Sequence, residues 1–132
     1  MRKRCEDESR KLGGKVKTRS GYHQATKLRA LLQEPESAIE RDIVRYLEFH
    51  GCLVIPTHGP RNRPVVEGIP DLLVYRRWDT NRLSTPPAPL WIEVKTWEGK
   101  LSTEQADMIA RLTERGARVI VARSVEDVEG VV

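Results

Sequence analysis

Gly68-Ile69-Pro70-Asp71-Leu72-Leu73-Val74-Tyr75 and, after a polar connection, Leu90-Trp91-Ile92-Glu93-Val94-Lys95 together decide the fold. Both are short apolar runs rich in branched and aromatic residues, which predicts strands over Asp71 to Tyr75 and Leu90 to Lys95. The connection Arg76 to Pro89 ends Pro86-Pro87-Ala88-Pro89, which suits neither a helix nor a central strand. With no helix to carry a crossover, the two strands should run antiparallel. Side chains alternate faces at about 3.3 Å per residue, so Glu93 and Lys95 share one face, about 6.6 Å apart. Pairing of the strands would bring Asp71 to the same spot. Two carboxylates and an ammonium would then converge, a plausible holder for a divalent metal with a cation beside it to manage a water.

Downstream, Ser102 to Arg115 reads as a helix, with Ala106, Ile109, Ala110 and Leu112 along one side and Gly116 closing it. Ala117 to Ala122 is a further strand. Strand, helix and strand make a right-handed crossover, so these two strands should be parallel. Ser124 followed by Asp127 looks like the cap of a last helical turn reaching Val128. Upstream, Glu36 to His50 carries Ile39, Ile43, Leu47 and His50, joined by Val44 and Tyr46, on one apolar side, and Gly51 stops it. Cys52 to Ile55 reads as a short buried strand ended by Pro56, and Thr57 to Pro64 as loop. The order is helix, three strands, helix, strand: an α/β fold with a four-stranded mixed sheet flanked by helices.

At 132 residues the chain suits one core-bearing domain over 35–132, preceded by a basic arm over 1–34. Met1 to Gln33 holds ten Lys/Arg against three acids, whereas the remainder holds 13 against 16, so the net +4 conceals a basic arm before a mildly acidic body. Such an arm favours polyanions by releasing counterions from phosphates, and reads equally as a solubilising tail. Residues 1 to about 20 have almost no apolar content and are expected to be disordered. Tyr22 to Gln33 has Ala25, Leu28, Leu31 and Leu32 at near-helical spacing, enough for a short helix before Pro35. Charged residues at 32% and no long apolar run exclude a membrane span. Met1-Arg2-Lys3-Arg4 leads into charge, so no secretory signal is expected. Cys5 and Cys52 suit a reducing cytoplasm, of a host cell if the source is viral, and no zinc site or disulfide framework.

The series Pro70-Asp71 followed by Glu93-Val94-Lys95, with Glu40 on the first helix and Leu101-Ser102-Thr103-Glu104-Gln105 after the second motif, resembles the VRR-NUC domains of the PD-(D/E)xK nuclease superfamily. The resemblance covers roughly Glu36 to Val128. It implies an αβββαβ restriction-endonuclease-like core and a deoxyribonuclease that uses Mg²⁺ or Mn²⁺. It implies that Asp71, Glu93 and the carbonyl of Val94 hold the metal and that Lys95 handles the attacking water. It further implies that Glu40 holds an outer water or a second metal, that Gln105 orients the site, and that branched DNA such as a Holliday junction is cut by a homodimer in replication or repair. Hard cations take oxygen ligands, so the residue types agree with that chemistry. Arg61, Arg63, Arg76, Arg77 and Lys100, in loops beside these strands, would track the DNA backbone if clustered.

Each residue also has an ordinary reading. Glu93 and Lys95 fit the outer face of any half-buried strand. Asp71 after Pro70 suits a turn, and Glu40 a solvated helix face. Gln105 completes a capping box with Ser102. His58 is a lone loop histidine that could touch phosphate, and Trp78 and Trp97 should pack on the sheet rather than stack on bases. A non-catalytic nucleic-acid-binding module with a basic arm, or an accessory subunit keeping the fold for protein contacts, are the alternatives. What favours the metal site is that one reading explains Glu40, Asp71, Glu93, Lys95 and Gln105 together.

Overall fold

The computed structural model describes residues 34–59 and 66–132. The helix α1 spans Glu36–Phe49, and strands β1 (Leu53–Pro56), β2 (Leu72–Tyr75) and β3 (Leu90–Val94) follow it. Helix α2 (Thr103–Glu114), strand β4 (Arg118–Ala122) and the short α3 (Glu126–Glu129) complete the order. The arm up to residue 33, the short helix expected there, and Arg61 and Arg63 lie outside the described residues.

The four strands form one sheet in the order β1-β2-β3-β4. The β1–β2 and β2–β3 pairs are antiparallel and β3–β4 is parallel, as the loop and crossover readings require. In the β2–β3 register Leu72 faces Ile92 and Val74 faces Leu90. Those four residues and Val94 meet Ile39, Ile43 and Leu47 of α1 in the buried core, closed by Cys52, Ala122 and Val128. The alternate residues of β3, Trp91, Glu93 and Lys95, therefore belong to the opposite face.

Both long helices end on the same device. The amides of Gly51 and Cys52 bond the carbonyls of Glu48 and Leu47, and those of Gly116 and Ala117 bond Thr113 and Leu112. This double closure needs a left-handed residue, and Gly51 and Gly116 supply it at φ 81° and 84°.

Five local readings change. β1 is an edge strand with Leu53 and Ile55 exposed, not a buried one. Pro56 is tolerated because an edge strand leaves one row of amides unpaired. His50 is exposed, and the α1 core stripe ends at Leu47. Ser124 does not cap α3 with its side chain; instead the Asp127 carboxylate accepts the Arg123 amide at 2.8 Å. Trp78 and Trp97 keep 47% and 44% of their surface exposed, so each is covered only in part. The apolar side of α2 is also only partly covered: Ile109 and Leu112 are half-buried, whereas Ala106 and Ala110 are exposed.

Candidate active site

The β2–β3 pairing, continued one residue past Leu72–Ile92, sets Asp71 opposite Glu93. Directly opposed residues of an antiparallel pair share a face and have Cα atoms about 4.5–5.5 Å apart. Both carboxylates are therefore on one side of the sheet, and the charge of each bears on the other. Asp71 is fixed from two directions. Its Oδ2 accepts the Val94 amide at 2.7 Å, and its backbone carbonyl accepts the Thr57 amide at 2.9 Å. The Thr57 hydroxyl also bonds the carbonyl of Pro70 at 2.6 Å.

Glu93 is 1% exposed, and Asp71 and Lys95 are 9% and 8% exposed. Lys95 Nζ stands 3.4 Å from Glu93 Oε1 and 3.8 Å from Glu36 Oε1. Gln105 Nε2 donates to the same Glu93 Oε1 at 2.7 Å. The other oxygen, Oε2, is buried with no hydrogen-bond partner among the described residues. Burial first, and then the charge of Asp71, push the Glu93 carboxyl up to about 7, with Lys95 pulling the other way. Burial and the Asp71 charge likewise raise Glu40.

Gln105 completes the capping box and also reaches Glu93. Its Oε1 accepts the Ser102 amide at 2.9 Å while the Ser102 hydroxyl accepts the Gln105 amide at 3.1 Å, a complete capping box. The Nε2 left over is what reaches Glu93. Gly68 sets the distance between the two motifs. At φ 78° it lies against the Glu104 carbonyl, where any Cβ would collide with backbone. The loop entering Asp71 thus rests directly on the first turn of α2.

The structure brings Glu40, Asp71, Glu93, Lys95 and Gln105 to one end of the sheet, and Val94 joins them through its amide to Asp71. It adds residues outside the expected site set, His58 among them, which the sequence offered only as a lone loop histidine. His58 Nε2 contacts Asp71 Oδ1. Glu36 completes the Lys95 ion pairs. Arg41 and Arg45, one helical turn apart on α1, line with Glu40, His58 and Asp71 a cavity of about 570 Å³. The available signal was the i, i+4 spacing of Glu36 with Glu40 and of Arg41 with Arg45.

The arginines expected to follow DNA are placed differently. Arg76 lies at the far end of β2, roughly 16 Å from Asp71 along the strand. Its Nη1 and Nη2 donate to the carbonyls of Val131 and Ala88, each at 3.1 Å, so it ties the C-terminal turn to the proline-rich connection. Arg77 and Lys100 are exposed.

Buried carboxylates with unpaired oxygens are costly unless a cation meets them. Four carboxylates face one ammonium and one imidazole here, and the donor set is mostly oxygen. These residues fit a hard divalent cation. No helix among the described residues is long and apolar enough to cross a membrane.

The family model of the VRR-NUC domain matches residues 30–126. A solved structure described as a VRR_NUC domain superposes with a TM-score of 0.56 at 26% identity, covering 73% of this chain and 91% of its own. No curated protein matches the chain. With the αβββαβ order and the carboxylate–lysine cluster already in place, the chain belongs to the VRR-NUC domain family, a nuclease-type family of the PD-(D/E)xK superfamily.

Proposed function

We propose that the chain is a divalent-metal-dependent endonuclease that hydrolyses phosphodiester bonds in DNA. It prefers branched structures of the Holliday-junction kind and acts as a homodimer in replication or repair. The observation that carries this reading is Glu93: a carboxylate 1% exposed, opposite Asp71, with one oxygen left unpaired in the interior.

Asp71, Glu93 and the Val94 carbonyl would hold Mg²⁺ or Mn²⁺. Bound there, the ion supplies a water of lowered pKa and offsets charge on the phosphate. The protein does the rest by position. Gln105 and Lys95 both engage Glu93 Oε1, which leaves Oε2 to face the ion. The Val94 amide holds Asp71 Oδ2 and so fixes the carboxylate plane. Lys95, held by two carboxylates, is placed to orient the attacking water or to meet the negative charge that develops on phosphorus oxygens. Glu40 serves as an outer acceptor for water. Arg41 and Arg45 offer the entering backbone its first positive charge. A junction requires two symmetrically placed cuts, which a two-fold dimer provides. The basic arm over 1–34 adds affinity for phosphate, and removing residues 1–20 should weaken binding and flatten its salt dependence.

The test is a panel of labelled junction, flap, duplex and single-stranded DNAs with Mg²⁺, Mn²⁺, Ca²⁺ or EDTA. Cutting with Mg²⁺ or Mn²⁺, its loss in EDTA and its loss in Glu93→Ala are expected. Cutting that survives either change overturns the mechanism. DNA binding without any cutting, unaltered by Asp71→Ala and Lys95→Ala, would instead establish a non-catalytic binding module.

A further inference from the structure

We infer that His58 supplies a nitrogen ligand to a second cation position, formed with Glu40 and Asp71, which selects Mn²⁺ and its transition-series neighbours over Mg²⁺. This rests on the metal-dependent nuclease reading and names the ion that the site works with.

One donor atom each from Glu40, His58 and Asp71 lies within 4.8 Å of the others. All three line the same cavity of about 570 Å³, so an ion there is open to water and to a phosphate. Asp71 can serve two positions because its oxygens are divided. Oδ2 takes the Val94 amide on the Glu93 side, while Oδ1 faces His58.

The place of His58 follows from the sheet. Pro56 pairs with Leu72, and the next residue, Thr57, is tied through its amide and hydroxyl to the carbonyls of Asp71 and Pro70. His58 comes next along the chain and meets the Asp71 side chain, so it is not a free loop residue. Two carboxylates and one imidazole offer a dication three ligand atoms, and Arg41 and Arg45 line the same cavity, where a phosphate would enter.

The donor set decides the metal. Mg²⁺ keeps most of its waters and takes one or two carboxylates, whereas an imidazole nitrogen suits transition-series ions. Mn²⁺ accepts both kinds of donor. Asp71, Glu93 and the Val94 carbonyl form an all-oxygen position beside it, which carries no such preference.

The experiment titrates the full chain with Mn²⁺ and with Mg²⁺, following bound Mn²⁺ by electron paramagnetic resonance and ligand nitrogen by electron spin-echo modulation. Wild type should bind Mn²⁺ more tightly than Mg²⁺ and show nitrogen modulation. His58→Asn should lose the modulation and roughly tenfold or more in Mn²⁺ affinity at that position, while Mg²⁺ affinity changes little. His58→Asp, which offers oxygen in place of nitrogen, should restore binding with the preference shifted toward Mg²⁺. Circular dichroism confirms that each variant is folded. If Asp71→Asn abolishes Mn²⁺ binding but His58→Asn leaves both the modulation and the Mn²⁺-to-Mg²⁺ ratio unchanged, this inference fails and the nuclease reading stands. Wild type that binds neither ion overturns both.

Discussion

Two polar centres flank the loop that follows β3, and they are built on opposite terms. On one side Arg123 Nη1 meets the carbonyls of Thr96, Trp97 and Gly99 at 2.5, 3.2 and 2.6 Å, while its backbone amide is held by Asp127. On the other side Glu93, more deeply buried, has one oxygen shared by Gln105 and Lys95 and one with no partner among the described residues. A group that serves the fold has its donors met by backbone, because each unmet one costs stability. A group that serves a ligand keeps capacity in reserve and is less stable for it. The two centres should therefore respond to substitution in opposite ways.

The largest expected effect is catalytic. Lys95→Ala removes the one ammonium in contact with Glu93 among the described residues. It should slow single-turnover DNA cleavage about 10²–10⁴-fold, or roughly 3–5 kcal/mol of barrier, with saturating Mn²⁺ and an unchanged circular dichroism spectrum. A loss of less than about tenfold would place Lys95 among the structural groups and blur the contrast.

Next in size is Gly68→Ala, which strains both the fold and the site. A side chain at φ 78° directed into the Glu104 backbone should cost about 3 kcal/mol, from the left-handed conformation and the forced displacement together. Urea denaturation measures it. Cleavage should fall as well, because the Gly68 contact sets how Asp71 sits relative to the helix that carries Gln105. A stability within about 0.5 kcal/mol of wild type would show that the loop relaxes freely.

Much of this was legible in the text, and the exceptions have a common cause. The apolar period of Ile39, Ile43 and Leu47, the strand text of β2 and β3, and the glycines after both helices are local signals, and local chemistry answered them. The strand connections followed from what the linkers could not be: proline-rich between β2 and β3, helical between β3 and β4. Edge placement is not local. Cys52-Leu53-Val54-Ile55 is as apolar as a core strand, and only its neighbours show that one side is open, although Pro56 was a hint. His58 was unreadable for the same reason. Its proximity to Asp71 depends on the β1–β2 register running on past Pro56, which no spacing in the sequence encodes. Arg76 looked like its neighbour Arg77, and only the return of the chain at Val131 separates the bound guanidinium from the exposed one.

Arg123→Ala tests the satisfied centre. It removes the clasp on the Thr96–Gly99 loop and should lower stability by about 2 kcal/mol, read from the denaturation midpoint at unchanged slope. Its effect on cleavage should be smaller than that of Lys95→Ala, since it acts on the loop and not on the reacting atoms. A variant as stable as wild type would mean that water replaces the arginine at those carbonyls without loss.

The smallest effect should have the opposite sign. The Glu93 carboxyl is pushed up to about 7 by burial and by Asp71, from 4.5 in the unfolded chain. Between those values the folded state holds a proton that the unfolded state has released. Stability from this group is therefore fully present below about pH 4.5, and it is lost as pH rises through 7. At pH 8 in EDTA the ionised carboxylate is a burden on the fold. Glu93→Gln removes that charge at nearly constant shape and should raise stability by about 1–2 kcal/mol, less than the full shift implies because Lys95 loses a partner. At pH 5 the advantage should shrink, since wild-type Glu93 is then mostly protonated. Added Mn²⁺ should raise the melting temperature of wild type more than that of Glu93→Gln, because an ion that binds only the folded state stabilises in proportion to its affinity. If the variant is less stable than wild type at pH 8 without metal, Glu93 is being held for the fold after all, and the two centres are alike.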